Sequence, residues 1–98
     1  MIMHYFYIIY SSKLDKYYLG ETSDLESRLH YHNHKKDSKG YSKAANDWKY
    51  VLQYECESKL IAQKLERFVK SQKSRHFNLR IIEDTEILTN IIETKLKK

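Results

Sequence analysis

Two short aromatic runs, separated by a four-residue connector that is mostly charged, constrain this chain more than any other feature. Residues 4–12, His-Tyr-Phe-Tyr-Ile-Ile-Tyr-Ser-Ser, are rich in aromatic and β-branched side chains, and so short a run favours a strand. Lys13-Leu14-Asp15-Lys16 is a polar connector, and residues 17–21 form a second short strand. The pair reads as an antiparallel hairpin, with no Asn-Gly or Asp-Gly to fix its turn type. A chain of 98 residues allows one domain and one modest core, so the rest of the sequence must cover this hairpin.

The covering elements are readable from periodicity. Ser23 begins a helix, with Ser23 and Glu26 at capping-box spacing and Asp24 adding negative charge at the positive helix end. Leu25 and Leu29 make a narrow apolar stripe, and Asn33 is the expected stop. Residues 35–47 form a loop long enough to suggest function. Residues 48–56 alternate as a third strand, placing Trp48, Tyr50, Leu52 and Tyr54 on one face. Ser58 caps a second helix running to about Gln72, whose stripe is Ile61, Ala62, Leu65, Phe68 and Val69. Residues 78–83 read as a fourth strand or a connector. Residues 84–96 read as a helix with Ile87, Leu88, Ile91, Ile92 and Leu96 on one side. The sum is an α/β or α+β fold: a small sheet with helices against it and antiparallel pairing. The main domain is residues 1–83, and the helix within 84–98 packs on it or pairs weakly with a second copy, so monomer and weak homodimer are both open.

Charge and composition narrow the partners. The formal charge is +5, and residues 64–80 hold six Lys or Arg with Glu66 as the only acid. A second basic run is Lys35-Lys36, then Lys39 and Lys43. Basic clusters interleaved with Tyr, Ser and Asn suit a polyanion, nucleic acid first. Nine tyrosines suit a thin sheet beside a wet site, since each buries a ring and keeps a polar tip. No apolar run reaches membrane-spanning length, so no membrane is expected. The N-terminal residues lack the pattern of a signal peptide, and the single Cys56 has no internal partner, so a cytoplasmic setting is expected. Cys56 reads as a small buried apolar residue near a strand end.

The chemistry-bearing residues are few. Arg28 and His32 are four apart and project from one helix face, where a guanidinium can hold phosphate with two donors. Glu66 sits beside an apolar stripe in an otherwise basic helix, so it needs a cationic partner or a hard divalent cation. His30 and His34 share a face without His32, and no Cys or His cluster completes a zinc site. No phosphate-binding glycine loop, Gly-x-Ser-x-Gly or Cys-x-x-Cys is present.

The order Tyr7, Tyr18-Leu19-Gly20, Thr22, Arg28, His32, Trp48, Glu66 resembles the GIY-YIG nuclease domain, in particular its small stand-alone bacterial members. The stretches "YFYIIYSS", "YYLGETSDLESRLHYHN", "YSKAANDWKYVLQYE" and "AQKLERFVKSQKSR" carry the resemblance over about residues 5–82. It implies a three-stranded antiparallel sheet flanked by helices and metal-dependent cleavage of a nucleic-acid phosphodiester, DNA first. It implies that Tyr7 and Tyr18 are active-site tyrosines on adjacent strands and that Gly20 leaves room for backbone and substrate. Arg28 would bind the scissile phosphate, His32 would assist proton transfer, and Glu66 would hold Mg²⁺ or Mn²⁺. Asn78 falls near where some members carry an asparagine. Ser42 and Lys43 resemble a loop pair that often precedes the third strand, and Thr22, Lys73 and Arg75 join them as expected substrate contacts. The first motif lacks the family's initial glycine, and Glu21 stands where some repair members carry lysine. A tyrosine aided by His32, Tyr7 ahead of Tyr18, is the expected base for the attacking water, and the resemblance leaves the choice between them open. The competing expectation is a nucleic-acid-binding module without catalysis.

Overall fold

A computed structural model of the chain describes residues 3–34 and 45–97. Three strands, β1 (His4–Ser11), β2 (Lys16–Thr22) and β3 (Lys49–Cys56), form one antiparallel sheet in the order β2-β1-β3. Helices α1 (Leu25–His34), α2 (Lys59–Ser71), α3 (Arg75–Glu83) and α4 (Glu86–Ile91) surround it, and a π-helical turn, Ile92–Leu96, continues α4. The fold is α+β, as expected.

Alternation along the strands divides the sheet into two faces. Phe6, Ile8, Leu19 and Leu52 point to one side, against Ala62, Leu65 and Val69 of α2, Ile81 of α3 and Leu88 of α4. Tyr7 and Ile9 point to the other, against Trp48 and Ala45, with Leu25 and Leu29 of α1 packed beside them. Ile91 and Ile92 join the first cluster, so the apolar side of the C-terminal segment is covered by its own domain.

Five local readings are corrected. Val51 is passed over between the pairs Ile8↔Leu52 and Ile9↔Tyr50. This bulge flips the alternation, so Leu52 and Tyr54 pack on the α2 side while Trp48 and Tyr50 pack on the α1 side. The cap of α1 is Asp24 rather than Ser23: its Oδ1 accepts from Ser27 N at 3.1 Å and its Oδ2 from Ser27 Oγ at 2.8 Å. Asn33 does not stop the helix; its amide donates to Trp48 O at 3.0 Å and its Oδ1 accepts from Trp48 N at 2.8 Å, tying α1 to the start of β3. Residues 78–83 are neither strand nor connector but the body of α3, which begins one turn earlier at the Ser74 cap, where Oγ accepts from Phe77 N at 3.0 Å. Finally, residues 84 and 85 precede α4, because Asp84 is extended (φ −137°) and its Oδ1 accepts from Glu86 N at 3.1 Å.

Asp47 fastens the hairpin end to the approach to β3. Its carboxylate accepts from Ser11 Oγ at 2.6 Å, Ser12 Oγ at 3.0 Å and Lys13 N at 2.9 Å. These hydrogen bonds, Ser11 first, pull its pKa down to about 2.

Candidate active site at the edge strand

β2 is an edge strand, and residues from both sides of the sheet meet along it. Tyr7 and Gly20 are register partners on β1 and β2. A Cβ on Gly20 would lie 2.6 Å from Tyr7 Cζ and closer still to its hydroxyl. Gly20 therefore makes room for the Tyr7 phenol. Tyr7 is 1% exposed, and its hydroxyl hydrogen-bonds with His32 Nε2 at 3.0 Å. Tyr18, two residues before Gly20 and on its face of β2, presents its ring to His32 with centroids 4.8 Å apart.

Helix α1 supplies the next two groups. His32 is buried and Arg28, one turn earlier, is exposed, with its guanidinium 5.5 Å from the Tyr31 ring. Burial pushes the Tyr7 phenol well above the ordinary tyrosine value, and the Arg28 guanidinium works against that rise. Burial likewise lifts Tyr50 to about 12, with Arg28 opposing. Tyr50 donates to Leu25 O at 2.5 Å and packs edge-on to Tyr7 at 5.5 Å. Arg28 opens onto a cavity of about 330 Å³ with Thr22, Asp24, Ser27 and Tyr31. The Thr22 hydroxyl is engaged at the head of α1, accepting from Asp24 N at 3.1 Å.

Glu66 approaches from the α2 side. Its carboxylate shares a cavity of about 400 Å³ with Glu21, Gln63, Arg67 and Lys70. Lys70 Nζ donates to Glu66 Oε2 at 2.6 Å and lies 6.0 Å from the Tyr18 ring centroid. Lys70 thus links the carboxylate to the tyrosine–histidine cluster around the edge of β2. Glu21 is held at Oε1 by His4 Nε2 at 2.5 Å.

The donor set bears on a metal. Among the described residues no group of three or more His, Cys, Asp or Glu could hold an ion. One carboxylate, a second lining the same open cavity and room for water fit Mg²⁺, which keeps several waters and takes one or two carboxylates with substrate phosphate. A closed zinc-type chelate does not fit. His30 and His34 stack on each other at 4.0 Å instead.

Three expected substrate contacts line a separate, larger cavity of about 490 Å³: Lys73, Arg75 and Asn78, with Lys70 and Tyr18 at its margin. Arg75 pairs with Asp15 at 2.7 Å, and the Asn78 Oδ1 is buried without a hydrogen-bond partner among the described residues. Ser42 and Lys43 lie outside the described residues. Sequence reasoning missed Lys70 and Tyr50 as parts of the site. The spacing of four from Glu66 was the available signal for Lys70, and the bulge at Val51 hid Tyr50. Cys56 is buried, and burial pushes its thiol up to about 11, which suits an inert packing role.

Among the described residues no helix is long and apolar enough to cross a membrane. The family model for the GIY-YIG catalytic domain matches residues 3–80, and the chain belongs to that family. Comparison with curated proteins and with solved structures returned no match. Domains of this family are nucleases, so the chain is an enzyme of the endonuclease class with nucleic acid as substrate.

Proposed function

We propose that this GIY-YIG domain hydrolyses DNA phosphodiester bonds with the help of one divalent cation, Mg²⁺ or Mn²⁺. The observation that carries the reading is the convergence of Tyr7, Tyr18 and His32 with Arg28 one helical turn away, beside the cavity that holds Glu66. A phosphodiester resists attack because its negative charge repels the nucleophile. Cleavage needs a base for water and positive charge on the phosphate.

Arg28 is exposed at the mouth of the cluster and grips the scissile phosphate through two guanidinium donors. Tyr7 is too deeply buried to act as a free phenolate in the resting protein. It serves with His32 as a relay: the phenol oxygen takes a proton from water while its own proton passes to His32 Nε2 across the 3.0 Å contact. Arg28, whose guanidinium works against the rise in the Tyr7 pKa, eases negative charge on the phenol oxygen as its proton leaves. Tyr18 closes the other side of His32 and orients the ring. Glu66, with Glu21 near it, would hold the cation, which when bound supplies positive charge to the phosphate and the departing oxygen. Lys70 must then exchange Glu66 for another anion.

Incubation of the protein with mixed DNA substrates and Mg²⁺ or Mn²⁺ tests this reading, beside Glu66→Gln. Cleavage by the native chain that the variant and a chelator both abolish is the expected result. Steeply salt-dependent binding with no cleavage under either ion would leave the non-catalytic binding module.

A further inference from the structure

The large cavity along the outer edge of β2 draws its cations from three places: Lys16 on β2, Lys70 on α2, and Lys73 with Arg75 at the turn into α3. Among the described residues its only acid is Asp15, in the β1–β2 turn. One residue from each turn holds left-handed backbone, Asp15 at φ 52° and Lys73 at φ 48°. Glycine would take either conformation more easily. The identity of Asp15 has a visible reason, since it pairs with Arg75 at 2.7 Å and accepts from Tyr10 Oη at 2.7 Å. Lys73 has none within the fold: it is exposed, and its ammonium engages no partner among the described residues. Unfavourable backbone therefore carries an unpaired cation on the wall of a basic cavity, a cost that suggests a ligand.

Resting on the nuclease reading above, we propose that this cavity is a second phosphate-binding subsite, gripping the nucleic-acid strand beyond the bond being cut. Lys73 is its fixed cation. Arg75 is its exchangeable one, moving from the Asp15 carboxylate to a backbone phosphate of the same charge and similar fork geometry. The Tyr17 ring, 5.1 Å from the Arg75 guanidinium, is a platform that keeps the fork in place during the exchange. Tyr18 and Lys70 border both this cavity and the candidate active site, so one strand can lie across the two.

The test is binding of fluorescently labelled DNA, single-stranded and duplex, to the full chain in chelator, followed by anisotropy across a salt series. Lys73→Gly removes the ammonium and relaxes the backbone. It should melt at higher temperature yet bind more weakly, with a salt slope shallower by about 0.7 for a single strand or about 0.9 for duplex. Asp15→Asn keeps a side chain that tolerates left-handed backbone and can still accept from Tyr10, while removing the charge that holds Arg75. It should bind more tightly than Glu55→Gln, which removes the same charge from the far edge strand. Native binding and salt slope in Lys73→Gly, or no gain in Asp15→Asn over Glu55→Gln, would overturn the subsite while cleavage by the native chain leaves the nuclease reading standing. A native chain that neither binds nor cuts DNA overturns both.

Discussion

The two faces of this small sheet are built from alternate residues of the same strands, yet they have opposite characters. On the α2 side, Phe6, Ile8 and Leu65 are fully buried in an apolar cluster. On the α1 side, equally deep positions hold the Tyr7 phenol and the His32 imidazole, joined by a hydrogen bond. Burial of apolar surface stabilises the first face, whereas burial on the second raises the cost of charging Tyr7, the group proposed above to move a proton. The edge strand β2 is where the faces meet: Lys70 of α2 pairs with Glu66 and lies 6.0 Å from the Tyr18 ring, which in turn packs against His32 of α1.

That contrast predicts that variants on the two faces fail in different ways. Leu65→Ala on the apolar face should cost about 2–5 kcal/mol of stability, read by denaturant melting, while molecules that stay folded keep their turnover. Arg28→Ala should do the reverse. It should lose about 10²–10³ in cleavage rate, the scale of removing one transition-state donor, with an unchanged melting curve. Gly20→Ala should do both, since the new Cβ displaces the Tyr7 phenol. We expect about 1–3 kcal/mol of destabilisation together with lost activity, and activity retained at native level would break the claim that the glycine exists for Tyr7. The smallest effect belongs to Asp47, which is a member of neither cluster. Its folded pKa lies below the ordinary carboxylate value, so its contribution to stability is present above about pH 4 and fades as pH falls towards 2. Asp47→Asn should flatten the acid limb of a stability-against-pH curve and leave cleavage at neutral pH untouched.

How much of this was legible beforehand follows the same division. Period-two runs and the helix stripes of α2 and the C-terminal segment expose the apolar face, because burial is repeated at many positions. The bulge at Val51 was not visible, since a single skipped residue leaves composition unchanged and flips every side chain after it. Helix α3 is hard to read from sequence because its Ser74 cap and basic first turn lie before the apolar residues within 79–82. In the site, the spacing of four between Arg28 and His32 was enough to put them on one face. The pairing of Asp15 with Arg75 was not foreseeable, being a contact across 60 residues made by a turn and a helix start. The roles of Lys70 and Gly20 likewise depend on which atoms the sheet edge brings close.

The central claim is that Arg28 and Glu66, delivered from opposite faces around the edge of β2, act on one phosphate. A double-mutant cycle on kcat/KM with Arg28→Ala, Glu66→Gln and the combined variant measures it directly. The account predicts strong non-additivity, with the combined variant little worse than the poorer single one. Losses that multiply as for two independent sites would contradict it.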